Sequence, residues 1–571
     1  MSGSNGTRGR SLAPSAYPPP VNQLEEFIGP PTDPAGERIE VGVVIVGGGP
    51  AGLACAIRLL QLLGDDPELS GQLGEVPVAV VEKGKTCGAH NLSGAIMRPS
   101  AMEQLFGDLP KDQWPTYGPV PGEAVYLMLD SRRSLHIPTP PPFRNHGNYV
   151  ISVSELSRWL AEKAEQAGAY ILTETSAARL LVEEGTVKGV RSGDKGRGRE
   201  GEQKANFEPG SDLVARATVL AEGAWGHLTS AAVQQFGLQG ADPQVWDLGV
   251  KEVWEVPRPL TKVIHTLGWP MRTSARYREF GGSWIYPMGP DKVSIGFVAG
   301  LDYTDATMSV HDVLQLFKTH PRIHQILDGG KRISWGAKAI PEGGWWALPK
   351  LAAPGMVICG DAAGMVNVPE LKGVHYAMHS GILAAEEIYR RLKEGSTDFS
   401  AYDQAVRGSV IGRDLYRTRN MRQPFARGFF AGGLITNLMI ATGGRFPGGH
   451  WHTHSDADSP MFDGGKSRQY PRPDGAYTFD KLSSVYLTGN ATRDDAPNHI
   501  RVRRQVPREV AEAWAWMCPA GVYEIPEGSE GSDTVDVVVN HTNCIQCGAI
   551  MAKGGRLTPP EGGDGPTYTN T

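Results

Sequence analysis

The sequence predicts an α/β fold, and three features carry that prediction. A run of β-branched residues at 41–46 breaks into Gly47-Gly48-Gly49, and residues 51–63 are apolar at helical spacing. A second apolar strand, Val76–Val81, ends in Glu82. A later stretch, Gly355–Gly364, repeats the step from strand to turn to helix. Strand, glycine turn, helix, strand and terminal acid form the order of a dinucleotide-binding unit on a parallel sheet.

Each element has a physical reason. Gly47 allows the tight turn, Gly49 lets the backbone approach a pyrophosphate, and Gly52 lets helix and strand pack closely. The unpaired N–H groups at the helix start face the phosphates, and Glu82 is placed to accept from a ribose hydroxyl. An acid there argues against the 2′-phosphate of NADP. The dinucleotide is read as FAD from two later turns. Gly360-Asp361 ends the late strand, where Asp361 can hold a ribose or ribityl hydroxyl and the following helix start faces the flavin's electron-rich edge. Ala221-Glu222-Gly223 follows the strand Ala217–Leu220 and is expected to close over the adenine half. Asn367 is a further candidate donor to the flavin. In a chain with 72 glycines a single such turn can serve packing alone; three in this order point to FAD.

At 571 residues the chain is expected to hold two or three domains. A net charge of −6, without basic runs interleaved by aromatics, gives no basis for nucleic-acid binding. Residues 1–37 are rich in Gly, Ser and Pro and lack an apolar signal core, so a disordered tail is expected. Arg8 and Arg10 raise the alternative of an organellar transit peptide, against which the prolines at 18–20 argue. Six cysteines in a chain this long do not form a disulfide framework. Cys55, Cys87 and Cys359 read as core or loop thiols.

No stretch is long enough to span a bilayer. Phe429–Ala441, the most apolar segment, would be roughly 20 Å long as a helix against a hydrocarbon core of about 30 Å. It is either a buried helix or one entering a single leaflet, and Arg413, Arg417, Arg419, Arg422 and Arg427 would suit anionic headgroups. Alternating segments between 225 and 335 suggest an inserted antiparallel sheet, and Gly193–Asp212 reads as an exposed hairpin loop. There is no internal repeat.

Further motifs add up to a family. They include N-H-G-N-Y at 145–149, G-V-K-E-V-W-E at 249–255, H-T-L-G-W-P at 265–270 and F-G-G-S-W-I-Y at 280–286. Later come G-F-V-A-G-L-D-Y at 296–303, N-V-P-E-L-K-G-V-H at 367–375, T-F-D-K-L-S-S-V-Y at 478–486 and C-P-A-G-V-Y-E at 518–524. With the glycine turn at 44–53 they make the sequence resemble the electron transfer flavoprotein–ubiquinone oxidoreductases over about 40–568. The resemblance implies a monomeric FAD protein on a membrane surface, without a transmembrane span. It would take electrons from reduced electron transfer flavoprotein, filled by fatty-acid and amino-acid dehydrogenation, and give them to ubiquinone. It places the protein peripherally on the cytoplasmic face of a bacterial membrane, or on the matrix face of the mitochondrial inner membrane. Gly281-Gly282 match the family's quinone-binding backbone pair. The expected architecture is an FAD domain at 38–224 and 336–480, with a membrane-surface segment at about 427–447. A quinone-binding sheet is expected at 225–335, and a ferredoxin-like domain at 481–571.

The resemblance also implies a [4Fe-4S] cluster on one cysteine before P-A-G-V-Y-E and a later C-x-x-C-x-x-C. Here Cys518, Cys544 and Cys547 match, but Ile550 occupies the last position and the chain is shorter before the P-E-G-G turn at 560–563. Four thiolates are not available. The open readings are a three-iron cluster, a four-iron cluster with a substitute ligand such as His541 or Asp564, a Cys₃His zinc site using His541, or a site that has lost its cluster. Two other functions compete with the main one: a flavin-dependent geranylgeranyl reductase, and a non-catalytic FAD protein that docks on dehydrogenases. The K-E-V-W-E and C-P-A-G-V-Y-E strings argue against the first, and three kept flavin motifs argue against the second. The chemistry expected is electron transfer, with no proton-transfer residue nominated.

Overall fold

The computed structural model describes residues 12–36, 38–462 and 468–571. The β-branched run forms the inner part of the strand Arg38–Val46, buried from Val41 onward. It lies between Val78–Val81 and Asp212–Leu220, all parallel, with Val44 opposite Ala79 on one side and Thr218 on the other. Tyr170–Leu172 and Met356–Ile358 extend this parallel set on its two sides. A parallel sheet must be covered on its faces, and here the helices Pro50–Gly64 and Val374–Lys393 pack together. At their crossing a Cβ on Gly381 would lie 2.1 Å from the Ala51 carbonyl oxygen, so only glycine lets them meet.

A second sheet of seven strands carries the middle of the chain. Its order is Lys331–Pro341, Trp246–Glu255, Lys292–Gly300, Gly281–Pro287, Val263–Gly268, Glu123–Met128, Ser134–Ile137. The sequence placed this sheet at 225–335 and made it wholly antiparallel. Both points need correction. Its last two strands come from 123–137, and Glu123–Met128 runs parallel to Val263–Gly268. The helix Val310–Lys318 packs on the sheet and buries Lys318, which pairs with the equally buried Glu252 at 2.7 Å. Lys195–Arg197 and Gln203–Glu208 form the expected surface hairpin.

The disordered tail expected over 1–37 does not hold for 12–36. Leu12 bridges to Met461, Gln23–Phe27 is helical, and Ile28–Gly29 adds a parallel edge to Ala177–Glu183. Phe27 is buried with its ring 5.0 Å from that of His227. A few apolar residues at 24–28 suffice to dock a segment whose composition is otherwise that of a linker. Arg8 and Arg10 lie outside the described residues.

The last part of the chain is built from short strand pairs, Ile500–Arg501 with Arg556–Leu557, Gln505–Pro507 with Thr534–Asp536 and Tyr523–Glu524 with Val538–Val539. The helix Arg508–Met517 runs directly into Cys518. Thr571 returns to the first domain, its carbonyl oxygen accepting from the Ser152 and Ser154 hydroxyls at 3.1 Å.

Candidate functional site

One cavity of about 530 Å³ runs through the interior between the two large sheets. Gly47, Gly49 and Glu82 wall one end of it, with Gly223 beside them and Asp361 further in. Gly47 adopts φ +110°, and a Cβ there would lie 2.3 Å from the Ala221 carbonyl oxygen. A Cβ on Gly52 would lie 2.1 Å from the Gly47 carbonyl oxygen. Gly49 has an ordinary φ of −94°, so its lack of a side chain keeps cavity space open and does not relieve strain. Glu82 is buried and accepts from the Gly48 N–H at 2.9 Å and the Gly84 N–H at 2.7 Å. This fixes the carboxylate at the end of its strand, where a ribose would lie. Gly360 has φ +65°, and its N–H donates to Ser380 Oγ at 2.9 Å. Burial pushes the Asp361 carboxyl up to about 6, a field that a donating hydroxyl would relieve. A glycine cradle and two acids lining one cavity fit FAD.

Asn367 is different. It is buried, its side-chain amide lies 3.5 Å from the Tyr376 hydroxyl, and it is not among the residues lining the cavity. Its neighbours Val366 and Val368 do line the cavity. The backbone turn at Asn367 closes on Lys372.

Further along, Gly281 and Gly282 line the same cavity. A Cβ on Gly281 would lie 2.0 Å from the Val298 carbonyl oxygen, and one on Gly282 would lie 2.7 Å from that of Thr266. The neighbouring strands thus demand glycine here, and the consequence is bare peptide facing the cavity. The far wall is the helix Phe429–Ala441, which contributes Phe429, Gly433, Thr436 and Ile440. Its other face is open, with Phe430 70%, Leu434 64% and Leu438 44% exposed. The buried-helix alternative is therefore excluded. Of the five arginines offered to headgroups, Arg422 is buried and paired with Asp302 at 2.6 Å, so it is not available. Arg413, Arg417 and Arg427 are exposed.

Several residues that the sequence did not single out meet in the cavity wall. Asp247 and Glu342 are buried beside Arg422. Burial drives both carboxyls upward, Glu342 to about 7, so that the pair retains a proton. Lys83 and Lys338 line the cavity as well, and burial lowers both, Lys338 to about 8. Their ammonium groups donate to Gln546, Lys83 to Oε1 at 2.7 Å and Lys338 to the carbonyl oxygen at 3.2 Å. The spacing from Glu82 to Lys83 was visible, but nothing in the sequence tied either lysine to residue 546.

Gln546 belongs to the three-cysteine loop. Cys518, Cys544 and Cys547 line one small cavity together with Ile550. Backbone N–H groups of Val522 and Gln546 donate to the sulfurs of Cys518 and Cys544, each at 3.4 Å. Peptide donors onto sulfur stabilise the charge of cluster ligands. Burial raises all three thiols, Cys547 to about 12, so they hold protons until a metal displaces them. The three sulfurs are not all within 4.8 Å of one another, whereas a tetrahedral zinc with Zn–S of about 2.3 Å would draw its ligands to ~3.8 Å. The sulfurs thus stand wider apart than a bound zinc would hold them. His541 and Asp564 do not line the small cavity either. His541 packs edge-on to His499, and the Asp564 carbonyl accepts from the Gln546 side chain at 3.2 Å. The donor set fits an iron–sulfur cluster held at three corners, with apolar Ile550 facing the fourth. Cys55, Cys87 and Cys359 are buried thiols, as expected.

Two family models match the chain: the ETF-QO ubiquinone-binding model over residues 246–340, and the electron transfer flavoprotein-ubiquinone oxidoreductase 4Fe-4S model over 475–569. The chain is 36% identical to the mitochondrial electron transfer flavoprotein-ubiquinone oxidoreductase of Caenorhabditis elegans, covering 94% of each. It is 36% identical to that of Pseudomonas aeruginosa, covering 94% of this chain and 99% of the relative. Among solved structures, a geranylgeranyl bacteriochlorophyll reductase-like protein from Thermoplasma acidophilum matches with TM-score 0.54 at 17% identity, over 72% of this chain and 92% of the other. That likeness shows a shared fold alone. With two full-length relatives at this identity, the chain belongs to the electron transfer flavoprotein–ubiquinone oxidoreductase family.

Proposed function

We propose that the protein oxidises reduced electron transfer flavoprotein and reduces ubiquinone at a membrane surface. One observation carries this reading: a single cavity joins the glycine cradle at 47–52 to Gly281-Gly282 and ends on a helix with an exposed apolar face. A water-soluble substrate needs no such exit; a long prenyl tail does.

FAD and an iron–sulfur cluster supply the electron-carrying chemistry when bound. The chain's own residues position, insulate and provide protons. Gly47, Gly49 and Gly52 leave room for a pyrophosphate, Glu82 takes a ribose hydroxyl, and Asp361 a ribityl hydroxyl. The peptides of Gly281 and Gly282 receive the quinone head. Cys518, Cys544 and Cys547 hold the cluster. Quinone reduction consumes two protons, and Glu342, sharing a proton with Asp247 in the cavity wall, is the group placed to deliver one from its Oε atom. The apolar face at Phe430, Leu434 and Leu438 enters one leaflet, with Arg413, Arg417 and Arg427 among the headgroups. No helix among the described residues is long and apolar enough to cross a membrane. The protein is thus read as a monomer lying on the membrane. Relatives named as mitochondrial and relatives from bacteria leave both membrane settings in play, and we read this chain as bacterial, on the cytoplasmic face.

The test is reduction of a short-chain ubiquinone analogue by the FAD-loaded protein, driven by reduced electron transfer flavoprotein, with a prenyl diphosphate as the alternative acceptor. Turnover of the quinone alone is expected. Reduction of the prenyl chain, or a fully flavinated protein inert to quinone, would overturn the reading.

A further inference from the structure

Away from the cavity, two loops distant in sequence bring together groups with no part in electron transfer. Asp242 follows the helix His227–Gln235, and His450 and His452 follow the apolar helix, in the stretch Gly449-His450-Trp451-His452. One carboxylate oxygen and one nitrogen from each ring lie within 4.8 Å of one another. Asp242 Oδ1 is 3.1 Å from His450 Nε2 and 3.0 Å from His452 Nδ1. The His450 nitrogen is buried and, although close to the carboxylate, is left without an aligned hydrogen bond. A group that converges on its neighbours without hydrogen-bond alignment is arranged as a ligand is.

The supports are rigid. The His450 ring stacks on Trp346 at 3.9 Å, and the Trp346 carbonyl oxygen accepts from the Asp242 N–H at 3.0 Å. Asn420 is fully buried and accepts from Trp346 Nε1 at 2.9 Å, while its amide donates to the carbonyl oxygens of Pro447 and Gly449 at 3.2 and 3.0 Å. Burial raises the Asp242 carboxyl, but His452, His450 and the Thr453 amide outweigh it, so the group stays ionised. We propose that Asp242, His450 and His452 form a site for a borderline divalent transition cation such as Zn²⁺. Two imidazoles and one carboxylate suit such an ion, and disfavour Mg²⁺ or Ca²⁺, which require oxygen ligands. The metal takes the place of the proton shared between His452 Nδ1 and Asp242 Oδ1. His452, with its side chain 68% exposed, leaves the outer positions to water. An ion there fastens the glycine-rich loop that follows the membrane helix to the flavin domain.

Zinc is titrated into the FAD-loaded full-length protein by equilibrium dialysis, with zinc and iron counted by mass spectrometry and flavin absorbance reporting the fold. One zinc per chain is expected, with affinity reduced by at least about tenfold in His452→Ala and in Asp242→Asn, as loss of a ligand requires. His454→Ala should bind as the unaltered protein does. His452 is exposed, so its variant keeps the fold. Absence of stoichiometric zinc, retention of full affinity in His452→Ala, or loss confined to His454→Ala would overturn the proposal.

Discussion

Replacing Phe430, Leu434 and Leu438 together by serine tests how the protein meets a membrane. The three are 70%, 64% and 44% exposed and follow one another at helical spacing on the outer face of Phe429–Ala441. Fully burying such a side chain is worth roughly 1.5–3 kcal/mol. Scaled by these exposures, the three together contribute about 4 kcal/mol to insertion. At about 1.4 kcal/mol per decade, the triple variant should bind vesicles roughly a thousandfold more weakly. The inner face, carrying Phe429, Gly433, Thr436 and Ile440, is untouched, so flavin content and turnover of a water-soluble quinone should persist. Sedimentation with vesicles containing anionic lipid measures the binding, and flavin absorbance checks the fold. Unchanged sedimentation would refute the argument, because the three exposed residues of this helix would then contribute nothing to membrane binding. Loss of flavin would refute it differently, by showing that the outer face packs against something.

Other outcomes follow from the same geometry. Gly47→Ala should leave the protein without FAD, since its Cβ meets the Ala221 carbonyl at 2.3 Å in a left-handed conformation; full flavin occupancy would contradict the cradle. Glu342→Gln should remove a limb of the pH profile of quinone reduction. The acid holds its proton below about 7 and loses it above, so the unaltered enzyme should slow as pH rises through that value, and a profile identical in the variant would rule Glu342 out as donor. In the oxidised protein, an electron paramagnetic signal of a three-iron centre is expected, with low iron per flavin, absent in Cys544→Ser. A complete diamagnetic four-iron cluster would mean that a ligand other than a fourth cysteine closes the corner at Ile550.

The flavin half was legible because its signals are local. Strand, turn and helix follow one another within a few residues, and the period of each is written in the side chains between Val41 and Leu63. Cys518, Cys544 and Cys547 were legible as a set because cysteine has few other uses in such a chain. What escaped depends on distance. Glu123–Met128 and Ser134–Ile137 join a sheet whose other strands begin at Trp246, and no periodicity announces that pairing. The docking of 12–36 rests on single contacts such as Phe27 with His227. Asp242 meets His452 across 210 residues, which is beyond any motif.

The missing fourth cysteine need not isolate the cluster site from the flavin, and the reason lies in which residues make the joint. Lys83 and Lys338 both reach Gln546, and the Ala339 N–H donates to the Cys547 carbonyl oxygen at 2.8 Å. Gly548 and Leu557 belong to the walls of both cavities. Gly548 sits at φ +89°, and a Cβ on it would lie 2.5 Å from Trp225 Cδ1, in a ring stacked on Trp246 at 3.8 Å. Residues 546–548 thus form part of the partition, with Gly548 lining both cavities. Two buried cations in the same wall stabilise added negative charge on either side of it, and in a low-dielectric setting their effect is larger than at a surface. Lys338→Met should therefore lower the reduction potentials of flavin and cluster together. An unaltered pair of potentials in a correctly folded, flavin-loaded variant would show that Lys338 only fastens the loop, leaving the coupling to the bare contact between Gly548 and Trp225.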